Sequence, residues 1–566
     1  MKPSASLAGT LAGTFVRPCV VLALLCACGV EERDRLRSEL ADVVHQRDDL
    51  ATKAASLETQ GRRDRGQLLD VRKKAEEADA ALRAKIDEMK DEMKKNDERV
   101  KARIDEMKKD GERVAAHRDE LKEWIEKELL PVAEEHDPRL VNLRDAAKDM
   151  AAEVENLRGL KFKQPFMRRL LTRDQVGDWM RRDMKKDMTE EDVKKMVVVG
   201  AEFGLMAEKT DVYAVFAQFI ESGAAAFYKP DTRTFYHIEG NDGRGARPVV
   251  FHELVHAVED QYFDIDAFYR VVEKDADMSL ARRALVEGSA CHFAEKYERA
   301  HPDDVKAMEQ SQATPEMIQK QMKMMNTVPP ALVASMGLYP YKNAPTWLEK
   351  IGADDSSAIE KLYADPPVST EQVLHPEKFP LDGPRDYPHK IATPDVASIL
   401  GDGYENVDDN DMGELMIGLL LTQLQQGGKY FPTLMNSLDM KTQGVGFKGA
   451  SKTASEGWDG DRYTAWVEKS SGKATIVWVS VWDSEKDARE FYETYGDLLG
   501  KRILGKEWSS RPTPLRHVVD GRTSGLDISG TRVVAVLDAP ADKAEKLFAA
   551  GAAATVTADP RDPNDK

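Results

Sequence analysis

The chain has 566 residues, with 82 Lys and Arg against 100 Asp and Glu, and a formal net charge of −18. That length supports several domains around a large core, and the acidity, offset by no basic domain, argues against nucleic acid as a partner. Of four cysteines, Cys19, Cys26, Cys28 and Cys291, only the last falls in the body of the chain, which excludes a disulfide framework.

The N-terminus reads as a targeting segment. Lys2 and Arg17 supply positive charge around a short apolar run, Val20-Val21-Leu22-Ala23-Leu24-Leu25, which is too short for a stop-transfer helix. Leu25-Cys26-Ala27-Cys28 resembles the lipobox of bacterial lipoproteins. The resemblance implies a signal peptide over 1–27, cleavage before Cys28 and diacylation of its thiol; an ordinary signal peptide cut nearby is the alternative. Gly29 after the cysteine implies, in that class, export to the outer membrane. The expected location is the bacterial cell envelope, anchored in the lipid bilayer through acylated Cys28 without a spanning helix.

Residues 28–130 are almost all charged residues, Ala and sparse aliphatics. Leu36, Val43, Leu50 and Leu57 recur every seven residues, as do Ile86, Met93, Val100, Met107, Val114 and Leu121, and KIDEMK at 85–90 returns as RIDEMK at 103–108. This spacing predicts a long helix or coiled coil, with self-association through that coil as an implied partnership. Arg47, Asn96 and Arg103 weaken the seam, so a single charged helix stays equally open. Continuous, the rod would reach about 150 Å at 1.5 Å per residue and serve as a spacer. Pro131 and Pro138 end it, and 131–159 is expected to be a helical linker.

The body is expected over 160–450. Thr172-x-x-Gln175 and Thr189-x-x-Asp192 look like helix starts, the first a capping box. Ala224 to Ile238 alternates around Lys229-Pro230-Asp231 and predicts a β-hairpin. Next comes His252-Glu253-Leu254-Val255-His256, set among Val249, Val250, Phe251 and Val258. Residues four apart share one helix face, so both imidazoles can ligate one metal ion, with Glu253 beside a metal-bound water. Such spacing also arises by chance, so it needs a third ligand. Glu287, on a helix expected from about Ser279 to Glu298, supplies it and leaves a fourth position for water. Gly288, Ser289 and Ala290 are small and are expected to let that helix approach the motif helix closely.

Residues 329–394 are Pro-rich and expected to be loops forming a wall of a cleft. Glu405 to Asp411 is acidic, either a cation site or, more in line with such runs, a solvated loop. Met412 to Gln426 predicts a core helix. From 451 to 556 the pattern predicts a small antiparallel α+β domain, with strands at 462–469, 474–482, 522–528 and 532–537 and helices at 486–499 and 541–549. The charged tail, 557–566, is expected to be disordered.

His252 to Asp260 resembles the active-site helix of thermolysin-like gluzincins, with Glu287 where they place their glutamate ligand. A closer resemblance is to an uncharacterised family of bacterial secreted or lipoprotein zincins. It rests on Ala226 to Pro230, His252 to Phe263, Pro366 to Lys378 and Gly457 to Tyr463, and spans roughly 157–540. Two positions depart from the patterns: Cys291 stands where thermolysin-like enzymes carry an Asp, and Ala344 where the closer family has a Gly.

The resemblance implies an α+β protein with a mostly helical zincin-like catalytic domain and an envelope-anchored metallopeptidase acting on peptide or protein substrates. Its Zn2+ would be held by His252, His256 and Glu287, with Glu253 as general base. The hairpin before the motif helix would bind extended peptide along its edge. An oxyanion donor is expected among His375, Tyr341 and Tyr404, with His375 favoured because it lies in the most family-like loop. The rival reading is a non-catalytic envelope lipoprotein whose coiled coil binds partners and whose zincin fold is degenerate.

Overall fold

The computed structural model describes residues 150–562, except 165, 222–225, 240–242, 313, 428–444 and 506–511, and isolated positions between 70 and 80. The chain divides into two compact units, 1–116 and 117–566. The expected signal peptide, Cys28, nearly all of the rod, and linker residues 131–149 lie outside the described residues. Among those described, no helix is long and apolar enough to cross a membrane.

The second unit is α+β, and its core begins earlier than expected. Residues 150–158, assigned above to a linker, form a helical segment with Met150, Ala151 and Val154 buried and Arg158 wholly enclosed. Their apolar positions pack into the same core as the HExxH helix, so they belong to the body. The predicted hairpin forms from β2 (Ala226–Lys229) and β3 (Thr234–Ile238), antiparallel. A strand the pattern did not announce, β1 (Met167–Leu171), adds in parallel to β3 and leaves β2 at the edge. Both predicted helix starts are capping boxes, and the second opens α1 (Glu190–Phe203).

The motif lies on α2 (Arg247–Phe263), which starts with Pro248 in its first turn. Its apolar residues are buried nearly all round, which places the helix in the centre of the core. Helix α3 (Ala276–Ala300) is capped by Asp275, whose carboxylate accepts from the Met278 N–H. The predicted Pro-rich loop region is largely helical instead. Pro330 sits in a first helical turn, where a missing N–H is harmless, while Pro340 and Pro345 lie inside the helical run that follows. A helical run from 330 to 350 contains a π-helical stretch, Val333–Leu338, followed by α4 (Tyr339–Lys350). Gly288 does not serve the expected close approach to the motif helix: it faces α4, where an added Cβ would meet the Ala344 Cβ at 2.6 Å. Ser289 is the residue that reaches the motif helix, donating to Glu259.

The C-terminal sheet has six antiparallel strands, in the order β5-β6-β7-β10-β9-β8. These are β4 (Lys390–Ile391) apart, β5 (Tyr404–Asn410), β6 (Trp458–Glu468), β7 (Ala474–Trp482), β8 (Leu515–Val519), β9 (Arg522–Ser529) and β10 (Arg532–Pro540). Four strands and both helices, now α6 (Glu485–Leu504) and α7 (Ala544–Ala552), were predicted; β5 and β8 were not. The acidic run is therefore a strand rather than a solvated loop, and the sheet crosses the boundary expected at 451. Its last residues have work in the fold: the Asn410 amide oxygen and the Asp411 carboxylate accept from the Ala276 and Asp277 N–H groups at the start of α3. The predicted apolar helix is α5 (Gly413–Gln425). Buried Asp461 accepts from the Met412 and Gly413 N–H groups and from the indoles of Trp458 and Trp478, tying α5 to the sheet.

The tail is ordered through 562, against expectation. Strand β11 (Val556–Thr557) pairs with β4, and Asp562 accepts from the Tyr387 N–H. Backbone pairing supplies the order that its composition does not.

Candidate metal centre

Helices α2 and α3 bring His252, His256 and Glu287 together. The two Nε2 atoms stand 3.0 Å apart, and each lies 3.3 Å from Glu287 Oε2. Helical spacing puts both imidazoles on one face, with their rings nearly perpendicular at 88°. Two ligand atoms each about 2.0–2.1 Å from a tetrahedral ion stand roughly 3.3 Å apart, so one cation fits against all three. Two imidazole nitrogens and one carboxylate oxygen form a zinc-type donor set, and among the described residues this is the group able to hold a metal.

The electrostatics match that geometry. Burial disfavours the charged form of His256, yet the Glu287 carboxylate outweighs it and raises the imidazole to about 9. For His252 burial again opposes, and Cys291 and Glu287 together lift it to about 10. Burial would raise Glu287, but its hydrogen bonds from both imidazoles hold it well below the usual carboxylate range. The carboxylate thus carries enough negative charge to keep protons, or a cation in their place, between the three groups.

Glu253 is pushed up by burial, and its Oε2 accepts the Tyr228 backbone N–H at 2.7 Å. The Tyr228 hydroxyl donates to Asp260 at 2.8 Å. The hairpin is therefore fastened to the motif helix at Glu253 and Asp260, on either side of His256. Behind them Glu259, at the core of the molecule, accepts from Arg158 (2.6 Å), Ser289 (2.5 Å) and Tyr363 (2.8 Å). Cys291 lies behind His252, its Sγ 3.8 Å from the ring's Nδ1, while His256 Nδ1 is buried without a partner among the described residues.

Of the three expected oxyanion donors, the structure brings one to the triad. The Tyr341 ring lies 6.1 Å from that of His252. The favoured residue, His375, is placed elsewhere: its Nε2 is 2.9 Å from Glu414 and its Nδ1 3.4 Å from Glu377. It lines a cavity of about 250 Å³ with Asn343, Trp347 and Phe447, which none of the triad lines. The family-like loop ends the short helix Thr370–Leu374, and Glu414 claims the ring. Tyr404 sits on β5, in the small core around Val477 and Val536.

The sequence reading missed Arg283. Its Nη2 is 3.6 Å from Glu287 Oε1, its charge acts on Tyr341, and among the described residues its Nε has no partner. Its position four residues before Glu287 was the available signal, since such pairs share a helix face. No curated protein and no solved structure matches the chain. Residues 401–547, which span the six-stranded sheet and exclude the triad, match the model of a family described as a domain of unknown function (DUF8575).

Proposed function

We propose that the protein is a zinc metallopeptidase. The observation that carries the reading is the near-equilateral triangle of His252 Nε2, His256 Nε2 and Glu287 Oε2, beside a buried Glu253. Bound there, zinc would acidify a water molecule and polarise a scissile carbonyl. Glu253, whose pKa burial raises, would take a proton from the attacking water and pass it to the leaving amine. Tyr341 is the hydroxyl donor for the developing oxyanion, with Arg283 orienting it.

Substrate would lie along β2. The Tyr228 N–H points at Glu253 and away from β3, so that edge of β2 presents backbone groups toward the centre. An extended peptide adding there would run past the triad. Anchoring in the bacterial envelope through acylated Cys28, with the rod as spacer, completes the reading; it rests on the sequence alone.

Glu253→Gln separates base from ligands. The purified variant is expected to keep about one zinc per chain and to lose nearly all hydrolysis of a peptide library. His252→Ala and His256→Ala should lose the metal, and Glu287→Gln should bind it weakly. Full zinc retention in both His variants sinks the ligand assignment. A zinc-loaded wild type that cleaves nothing, in a library where a known peptidase is active, favours the non-catalytic rival.

A further inference from the structure

A second cavity, of about 570 Å³, lies between the C-terminal ends of α1 and α6 and the face of the sheet at β7, β8, β9 and β10. Val198, Ala201, Leu499 and Ile503 form an apolar wall. Four acids line it: Glu208 and Asp520 are exposed, Asp538 comes from β10, and Glu202 from the last turn of α1. That is the negative end of the helix dipole, the end that disfavours a carboxylate.

The fold offers Glu202 no partner. Among the described residues its carboxylate makes no hydrogen bond and no ion pair, although two guanidinium groups line the same cavity. Arg502 commits its N–H groups to the carbonyl oxygens of Ala201 (2.8 Å) and Glu202, closing the end of α1. Arg522 is engaged by the Asp538 carboxylate at 2.6 Å, the Asp538 carbonyl and Thr475. Both guanidinium groups are thus used by the backbone or by another acid, and the third cation of the lining, Lys473, is exposed and acts on Glu468. Burial pushes Glu202 up to about 7, Arg502 opposing it and Asp538 adding to it. A partly buried acid at the wrong end of a helix, without a direct ion pair among the described residues, weakens the fold.

We propose that this cavity binds a primary ammonium group carried on a short apolar body, the ammonium pairing with Glu202 and the body lying against the Val198–Ile503 wall. The chemistry is that of a peptide N-terminus or a lysine side chain. A carboxylate ligand is disfavoured because it would face Glu202 and Asp538 with both guanidinium groups engaged, and a neutral ligand would leave Glu202 as it stands. The site is independent of the metal-centre reading.

The test titrates the purified protein with pentylamine, its N-acetyl derivative and pentanoate by calorimetry. Pentylamine is expected to bind saturably at one site, with both analogues weaker by at least about tenfold, the scale of a charge-assisted contact. Glu202→Gln should remove that preference while leaving the circular dichroism spectrum unchanged. A tripeptide with a free N-terminus, and its acetylated counterpart bearing a lysine, then tell which source the cavity prefers; binding of either above an acetylated lysine-free tripeptide supports the proposal. No saturable binding of millimolar pentylamine, equal binding of its N-acetyl derivative, or undiminished binding by folded Glu202→Gln overturns it.

Discussion

The contact between Gly288 and Ala344 sets how closely the ligand helix and α4 approach, and it can be tested by exchanging the two residues. A methyl group at 288 would stand 2.6 Å from the Ala344 Cβ, about 1 Å inside the normal carbon–carbon contact. Overpacking of this kind costs about 1–3 kcal/mol, of which the better helix propensity of Ala returns about 1 kcal/mol. Gly288→Ala alone should therefore destabilise by about 1 kcal/mol. Ala344→Gly alone should cost a similar amount through propensity and a small void. In the double variant the methyl group has only changed sides. Its stability should return to within a few tenths of a kcal/mol of wild type, a coupling of about 2 kcal/mol. Urea unfolding with chelator present measures all four proteins. Because Glu287 is the adjacent residue, Gly288→Ala should also weaken zinc binding, and the double variant should recover it. Additive stabilities, with zinc affinity unchanged throughout, would refute the reasoning.

Arg158 and Glu259 are both fully enclosed and 2.6 Å apart, so Arg158→Ala strands a carboxylate and should cost about 3–5 kcal/mol in urea unfolding, whereas Arg158→Met with Glu259→Leu should recover most of it. Tyr341→Phe should lower kcat on a small peptide by about a hundredfold, while His375→Ala leaves kcat nearly unchanged and reduces stability by leaving Glu414 unpaired. Glu202, raised in the fold to about 7 from an ordinary 4.5, favours the neutral form, so its contribution is present below pH 4.5 and lost as pH rises through 7. Wild type should lose up to about 3 kcal/mol relative to Glu202→Gln across that window, and parallel pH–stability profiles would contradict this.

The centre was legible because its geometry is local. His252 and His256 need only one turn of helix, and Glu287 needs only a second helix, expected from about Ser279 and observed from Ala276. The hairpin and four strands of the C-terminal sheet were legible through alternation and turns. What stayed hidden depends on partners distant in the chain. The acids of β5 read as a loop because the groups that employ them, the N-terminus of α3 and the Tyr463 hydroxyl, lie over fifty residues away. Strand β1 carries Arg168 and Arg169 side by side, which breaks a period of two. His375 shared a loop with family-like residues, but membership of a loop says nothing of which helix will claim the ring. The partner of Gly288 was misjudged for a similar reason: a small residue announces a close neighbour without naming it.

The π-helical stretch at Val333–Leu338 carries an evolutionary consequence. A π turn holds one residue more than α winding and absorbs it locally, leaving the helix on either side in phase. A helical wheel drawn through 330–350 therefore misplaces Tyr341 and Ala344 by about 100°, the turn of one residue. The same arithmetic makes the stretch a place where the gene can gain or lose a codon cheaply. Deleting one residue between 333 and 338 converts it to plain α-helix and keeps Tyr341 beside His252. Deleting one between 341 and 347 swings the rest of α4 off the ligand helix. Among descendants of this sequence, single-residue gaps should collect in the first interval and be purged from the second.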